Sequence, residues 1–171
     1  MKARQSMICF STIFVFVLMH LVFGRAVAQT EKSRLAELAK EAEVIVVGKV
    51  ADVRSEWNSD KTRIFTKVSV DVAEYVKGET PTKTLIITQL GGEIDGVGEL
   101  YTHTARFSKD EEVLVFVKKD HKNNLIVAGG NEGKFKVTKN ELTGEKMLQG
   151  NLSLKNFTSR VKNIIEQQEM K

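Results

Sequence analysis

Cysteine is almost absent from the sequence: among 171 residues there is one, Cys9, and it lies in an N-terminal segment that we predict to be removed. A secreted chain without cysteine cannot form disulfides, so it must be held together by its hydrophobic core. Residues 29–171 suffice for one core that buries about 70% of the surface of the unfolded chain. No second domain, linker or repeat is visible, and we predict a single domain over residues 29–171.

Residues 1–28 have the composition of a secretory signal peptide. Lys2 and Arg4 supply a positive start, an uncharged apolar run covers residues 7–24, and Ala-Val-Ala at 26–28 offers a cleavage site. An uncleaved anchor is the alternative, because about 18 apolar residues could just span a bilayer. The small residues at 26–28 favour cleavage over an anchor. Cleavage predicts that the mature chain is exported to the periplasm or secreted, and that it keeps no membrane segment.

Histidine is also scarce, and this limits the chemistry of the mature chain. Only His103 and His121 remain after cleavage, and His121 lies in a polar turn. A zinc site needs three or four converging ligands, which excludes a histidine-rich site. The sequence has no G-x-S-x-G nucleophile elbow and no glycine-rich phosphate motif ending in Lys and Ser or Thr. We therefore predict a protein that is not an enzyme, with no nucleotide, no cofactor and no histidine-rich metal site.

Positive and negative charges nearly balance in the chain without residues 1–28. The chain has 26 Lys and Arg against 22 Asp and Glu; three of the bases and none of the acids lie in residues 1–28, which leaves a net charge of about +1. Nucleic-acid binding would need bases clustered on one face, whereas here both signs are interspersed. We predict no nucleic-acid partner.

The mature chain consists of β-patterned segments between two helical ones. Apolar residues at helical spacing predict a helix over Thr30–Ala42 and another over Leu154–Gln168, with Ser153 as the N-cap of the second. Between them, apolar runs bounded by turn residues predict six strands. These are Val44–Val53, Arg63–Val76, Leu85–Leu90, Val113–Val117, Leu125–Ala128 and Lys134–Val137.

The strand Arg63–Val76 is the most informative about architecture. Its alternation of apolar and polar residues is typical of a strand with one buried face. At about 3.3 Å per residue it would be about 46 Å long, too long for a flat strand in a small domain. Gly48 predicts a bulge or bend in the preceding strand. We predict a mainly β fold, a five- to six-stranded OB-like antiparallel barrel flanked by an N-terminal and a C-terminal helix. A flatter antiparallel sheet covered by both helices is the alternative.

Three stretches of this pattern resemble the netrin-like (NTR) domain, a family that includes the tissue inhibitors of metalloproteinases. They are LAELAKEAEVIVVGKVADV, RIFTKVSVDVAEYVKG and RFSKDEEVLVFVKK. The resemblance consists of a helix, a VIVVGKV strand, a long alternating strand that ends in hydrophobic-Lys-Gly, a glycine-rich stretch and a hydrophobic-Val-Phe strand. It covers residues 35–78 and, more loosely, residues 106–118. It implies a five-stranded OB-like barrel flanked by helices.

The chain departs from this family in a respect that bears on function. Metalloproteinase inhibitors of the family use an N-terminal cysteine to bind the protease zinc, and they are cross-linked by disulfides. Here the mature chain is predicted to begin at Gln29 and has no cysteine. The resemblance therefore implies a fold and a general capacity to bind other proteins, without zinc chelation.

Residues 90–107 are the predicted working surface. They include four glycines within eight residues, the acids Glu93, Asp95 and Glu99, and His103. A long irregular loop in a small domain is usually functional or disordered, and the glycines make a helix costly, by roughly 1 kcal/mol each. Three interpretations remain open: contact with a protein partner, a solvated loop, or a Ca²⁺ site, although the acids do not have the EF-hand spacing.

Trp57 is a further candidate for recognition, because it stands in a predicted polar turn, residues 56–61, where a core residue is unexpected. The indole could equally fold back over the end of the barrel. We predict an exported, non-enzymatic module that binds a protein partner, a protease being one candidate, through residues 90–107. The candidate contacts are Glu93, Asp95, Glu99, His103 and Trp57. The alternatives are a small secreted hydrolase that uses His103 with the loop carboxylates, and a carbohydrate-binding module that uses Trp57.

Overall fold

The computed structural model describes residues 33–149 and 151–170. The predicted signal peptide, its cleavage site and the first residues of the predicted N-terminal helix lie outside these ranges. The internal contacts of the chain divide it into two units, Met1–Ala36 and Glu37–Lys171, and the strands of the described residues belong to the second.

Helix α1 covers residues 33–41, within the predicted range, and helix α2 covers Leu154–Glu169, one residue longer than predicted. Ser153 stands at the N-cap of α2, but its side chain makes no capping hydrogen bond. The hydroxyl donates instead to Glu145 Oε1 at 2.6 Å, so the predicted N-cap position is confirmed but the side chain does not cap the helix. Within residues 33–149 and 151–170, no helix is long and apolar enough to cross a membrane.

The described residues form ten strands, so the protein is mainly β, as predicted. The strands are β1 (Val44–Trp57), β2 (Ile64–Lys77), β3 (Thr84–Leu90), β4 (Gly92–Ile94), β5 (Val97–Glu99), β6 (Glu112–Lys119), β7 (Leu125–Val127), β8 (Lys134–Lys139), β9 (Lys146–Leu148) and β10 (Leu152–Ser153), with a 3₁₀ turn at Gly130–Gly133. Six correspond to the predicted strands, with altered ends. The short strands β4, β5, β9 and β10 were not predicted, because two or three residues are too few to show an alternating pattern.

Eight strands form one sheet in the order β1-β2-β3-β7-β6-β8-β9-β10, and β4 and β5 form a separate hairpin. β1 also pairs with β6, so the sheet folds back on its first strand. The pairings β1–β2–β3–β7–β6–β1 therefore form a cycle, in which one link is a single parallel pair, Ile87 with Leu125. Apart from that pair the ladders are antiparallel, as predicted, and they do not close a continuous barrel.

The register of strand β1 with β2 shifts at three steps, and one of them is the step from Val47 to Gly48. This shift confirms the bulge predicted at Gly48. A Cβ atom at Gly48 would lie 2.5 Å from the main-chain oxygen of Asp71. The close approach of the two strands therefore requires glycine at this position.

The core lies on the inner face of the folded-back sheet. Val68 on β2 and Ile87 on β3 are fully buried, and residues 113–117 of β6 are buried on both faces. Side chains two residues apart in a strand share a face. The same inner face therefore continues to Thr66 on β2 and to Gln89 on β3, two polar residues at positions that an apolar pattern would fill.

Candidate functional site

Residues 90–107 contain a short hairpin where the sequence predicts an irregular loop. β4 and β5 pair antiparallel, with Ile94 opposite Val97 and the two residues Asp95 and Gly96 between them. Asp95 and Gly96 have φ angles of 50° and 79°, and the two positive values are those of a type I′ turn, which hairpins of this length prefer. The predicted loop is therefore wrong for residues 92–99, and the Asp-Gly pair is the sequence signal for the hairpin.

The start of the 90–107 segment is fixed to β1 and β2. The Gly91 N–H donates to Ile64 O at 2.8 Å, and the Thr66 hydroxyl donates to Gly91 O at 2.7 Å. Gly92 follows with φ 144°, and a Cβ atom there would lie 2.5 Å from both Ser55 Oγ and Thr66 Oγ1. Both the backbone angle and the close approach require glycine.

The end of the segment is fixed by Lys134 on β8. The Lys134 Nζ atom lies 2.7 Å from Glu111 Oε1 and donates to the Arg106 main-chain oxygen at 2.7 Å. It also lies 5.0 Å from the centre of the Phe107 ring, a cation–π distance. The Lys134 and Glu111 side chains are 14% and 8% exposed, so they form a largely buried ion pair. The segment is thus held at both ends.

A cleft of about 480 Å³ lies between this segment and the ends of β1, β2 and β3. Its volume falls within the usual range for ligand sites, roughly 300–1,000 Å³. Val68 and Phe107 contribute apolar surface to its lining, while Ser55, Thr66 and Gln89 contribute polar groups. The combination of apolar walls with a few polar groups is typical of a binding site.

The exposed lining residues of the cleft combine charge with apolar surface. Glu93 and Arg106 are exposed, and Glu99 is half-buried and accepts a hydrogen bond of 3.3 Å from the Tyr101 hydroxyl. Leu100 is 72% exposed. Two carboxylates and one guanidinium therefore surround the opening together with a large apolar side chain, so the opening does not favour anions.

Gln89 carries the one buried side-chain polar atom that lacks a hydrogen-bond partner among the described residues. The residue lies on the inner face of β3 and is 8% exposed. Its buried Nε2 atom has no hydrogen-bond partner within the part of the chain that the structure describes. An unpaired buried donor costs about 1–3 kcal/mol. Native proteins contain few such groups, so each one calls for an explanation.

Two of the five predicted contact residues come together in the cleft. Glu93 on β4 and Glu99 on β5 lie in paired strands of the hairpin, and both line the cleft. Asp95 lies at the tip of the hairpin. His103 and Trp57 are not among the lining residues.

Trp57 does not lie in a turn, and this part of the prediction is wrong. It is the last residue of β1, which extends beyond the predicted end at Val53, and it pairs with Ile64 of β2. Its side chain is half-buried. The polar residues 54–56 conceal the strand in the sequence, because pairing with β2, rather than an apolar pattern, continues it.

His103 is exposed, and its main-chain oxygen accepts a hydrogen bond of 2.9 Å from the Asn131 N–H. The cleft that Glu93 and Glu99 line does not include it. Within residues 33–149 and 151–170, no group of three or more His, Cys, Asp or Glu side chains could hold a metal ion.

The cleft is also lined by three residues that the sequence did not predict as site residues: Ser55, Thr66 and Gln89. For one of them a signal exists, because Thr66 follows the even-numbered apolar pattern of β2. Gln89 carries none, because β3 has apolar residues at even-numbered as well as odd-numbered positions. A polar residue at an inward-facing position is costly unless it is paired, so it marks a candidate site. Ser55 carries no such signal, since it lies in a polar stretch.

No protein-family model matches the chain, and a search of curated proteins finds no match either. The function of the cleft and of the 90–107 segment therefore rests on their own geometry and chemistry.

Proposed function

We propose that the chain is an exported, non-enzymatic binding module that contacts a protein partner through the 90–107 segment. The signal-peptide composition of residues 1–28 supports export. The netrin-like pattern of residues 35–78 and 106–118 supports a role in binding other proteins, since that family includes protein inhibitors of proteases.

The arrangement of the sheet supports an OB-like barrel of the netrin-like type. An OB fold is a partly open, five-stranded Greek-key barrel. Five strands of this chain form a cycle, in which β1 pairs with both β2 and β6 and a single residue pair links β3 to β7. The weak link between β3 and β7 corresponds to the partly open side of such a barrel.

The observation that carries the binding proposal is a fixed segment that exposes large apolar side chains. Leu100 is 72% exposed and Val97 is 52% exposed, and the nearby acids Glu93 and Asp95 are exposed too. Apolar side chains with polar groups around them are typical of protein interfaces. Because hydrogen bonds and an ion pair hold both ends of the segment, binding would cost it little conformational entropy.

A photo-crosslinking amino acid at Leu100 tests whether this surface meets a partner. Leu142 provides the control position, because it is 96% exposed but lies in the turn between β8 and β9. We expect the exported chain, irradiated in its source cells, to form a protein adduct from position 100 and none from position 142. Adducts of the same protein from both positions, or from neither, would contradict the proposal.

Secreted proteases are the first class of partner to test, because the family that the sequence resembles includes metalloproteinase inhibitors. The mature chain has no cysteine to bind a protease zinc. A complex with a purified zinc protease should therefore form equally well when a hydroxamate inhibitor occupies the zinc. If no complex forms with any protease of a broad panel, the partner is not a protease, and the crosslinked adduct identifies it.

A further inference from the structure

We propose that the cleft receives an apolar residue of the partner's peptide chain and that Gln89 donates a hydrogen bond to a main-chain carbonyl of that peptide. The inference rests on the proposed protein-binding function and specifies what the partner presents. The ligand is an uncharged peptide segment with one apolar side chain.

The one buried side-chain polar atom without a hydrogen-bond partner in the described part of the chain is a donor that belongs to this cleft. The Gln89 Nε2 atom lacks a partner within the described ranges of the chain, and an amide N–H bonds carbonyl or carboxylate oxygens. The hydroxyl protons of Ser55 and Thr66 are already engaged. Thr66 donates to Gly91 O, and Ser55 therefore donates to Thr66 Oγ1 at 3.2 Å. A ligand oxygen at this wall would therefore pair with Gln89, whose side-chain amide must rotate toward it because the Nε2 atom is buried.

The charges around the cleft favour an uncharged acceptor. Glu93 and Glu99 line it, against one cation, Arg106. A carboxylate or phosphate on the ligand would meet two like charges and one opposite charge, and like charges placed together in an interface oppose binding. An amide carbonyl carries the acceptor oxygen without that repulsion.

The apolar lining fits an apolar side chain. Val53, Val68 and Phe107 line the cleft, and its volume of about 480 Å³ leaves room for such a side chain with the adjoining peptide groups. Leu90 and Leu100, which also line it, are 37% and 72% exposed. The cleft is therefore continuous with the surface that we propose for the partner, which favours a peptide segment as its occupant.

Titration of the ¹⁵N-labelled protein with N-acetylleucine methylamide tests this chemistry. This probe combines an apolar side chain with uncharged carbonyls, and the Gln89 side-chain amide signals can be assigned from their absence in Gln89→Leu. We expect a saturable shift of these signals. N-acetylleucine, which carries a carboxylate, and 4-methylpentanol, which lacks a carbonyl, should each bind about tenfold more weakly. Equal affinity for all three probes would overturn the inference.

Gln89→Leu separates binding from folding. Loss of one hydrogen bond should weaken the affinity for the amide probe about tenfold. The melting temperature should stay the same or rise, because the substitution removes an unpaired buried donor. Thr88→Val, on the opposite face of β3, should leave the affinity unchanged. If Gln89 were only structural, Gln89→Leu would lower the melting temperature and leave the affinity unchanged.

The two proposals can fail independently. If position 100 captures a partner but the probe does not shift the Gln89 signals, the inference about the cleft is overturned and the protein-binding function stands. If the probe binds in a Gln89-dependent manner but no partner is captured, the claim that the cleft binds a peptide segment of a protein partner is overturned. The cleft would then be a site for small apolar amides.

Discussion

Gly92 determines how closely the 90–107 segment approaches β1 and β2. A side chain at this position would meet the hydroxyl oxygens of Ser55 and Thr66 at a backbone angle that favours glycine. Gly92→Ala should therefore lower the free energy of unfolding by about 1–3 kcal/mol, as measured by urea denaturation.

Gly98→Ala is the matched control on the paired strand of the hairpin. A Cβ atom at Gly98 would have only the Gly92 main-chain oxygen near it, at 3.9 Å. The substitution should change the free energy of unfolding by less than about 0.5 kcal/mol. Equal losses at the two glycines would show that the close approach at Gly92 is not what requires glycine.

Gln89 illustrates what can and cannot be predicted about a single residue. Its place in a strand is visible in the sequence, but its place on the inner face is not, because Ile86 and Leu90 make the other face of β3 equally apolar. Its lack of a partner depends on which side chains β1, β2 and the 90–107 segment bring near it. Those contacts join residues far apart in the chain, and local patterns do not contain them.

The ion pair between Lys134 and Glu111 holds the end of the 90–107 segment. Removal of one member leaves the other charge buried without a counterion, which typically costs about 3–5 kcal/mol. Lys134→Met should therefore lower the free energy of unfolding by about 3 kcal/mol or more in urea denaturation. It should also speed amide hydrogen exchange of residues 103–107, because the bond to Arg106 O is lost.

The double variant Lys134→Met with Glu111→Gln is the control for this effect. It removes both charges, and replacement of a whole buried pair is often nearly neutral. It should therefore recover more than half of the stability that Lys134→Met loses. If the double variant is as unstable as the single one, the uncompensated charge of Glu111 is not the cause.

Lys77 on β2 holds the end of α1. Its Nζ atom donates to Ala39 O at 2.7 Å and to Ala42 O at 2.5 Å. Burial lowers the pKa of Lys77 below its ordinary value of 10.5, and the nearby Glu169 and Glu43 only partly oppose this effect. The folded state therefore releases the proton at a lower pH than the unfolded state does.

Between the lowered pKa of Lys77 and 10.5, the unfolded state binds more protons than the folded state. The contribution of Lys77 to stability must therefore rise with pH in this window and fall as pH decreases through the folded pKa. We expect the free energy of unfolding of the unchanged chain to increase relative to that of Lys77→Met as the pH rises through this window. A difference that is independent of alkaline pH would contradict the lowered pKa.

The ends of β1 show why strand lengths are hard to predict. Its first half is apolar and was predicted, whereas its second half is polar and continues as far as Trp57 only because β2 supplies hydrogen-bonding partners along its whole length. The β4–β5 hairpin is a different case. Its Asp-Gly turn is a local signal that could have been recognised, although the three-residue strands around it carry no pattern.

In the whole molecule, the mainly β architecture, its antiparallel ladders and both helices could be predicted from periodicity. The return of β6 to β1 and the single link between β3 and β7 could not, because they join segments that are separated by many residues. The same limit applies to the site. Glu93 and Glu99 were predicted from composition, but the cleft that they share with Gln89 exists only in the folded sheet.

The central claim is that the 90–107 segment is the surface that binds a protein partner. Its most direct test is the Kd of the purified, crosslink-identified partner for the mature chain, for Leu100→Asp and for Leu142→Asp. Both leucines are highly exposed, at 72% and 96%, so neither substitution should disturb the core. Leu100→Asp should weaken the Kd about tenfold or more, and Leu142→Asp should leave it unchanged. The same Kd for all three proteins, or an equal loss in both variants, would contradict the claim.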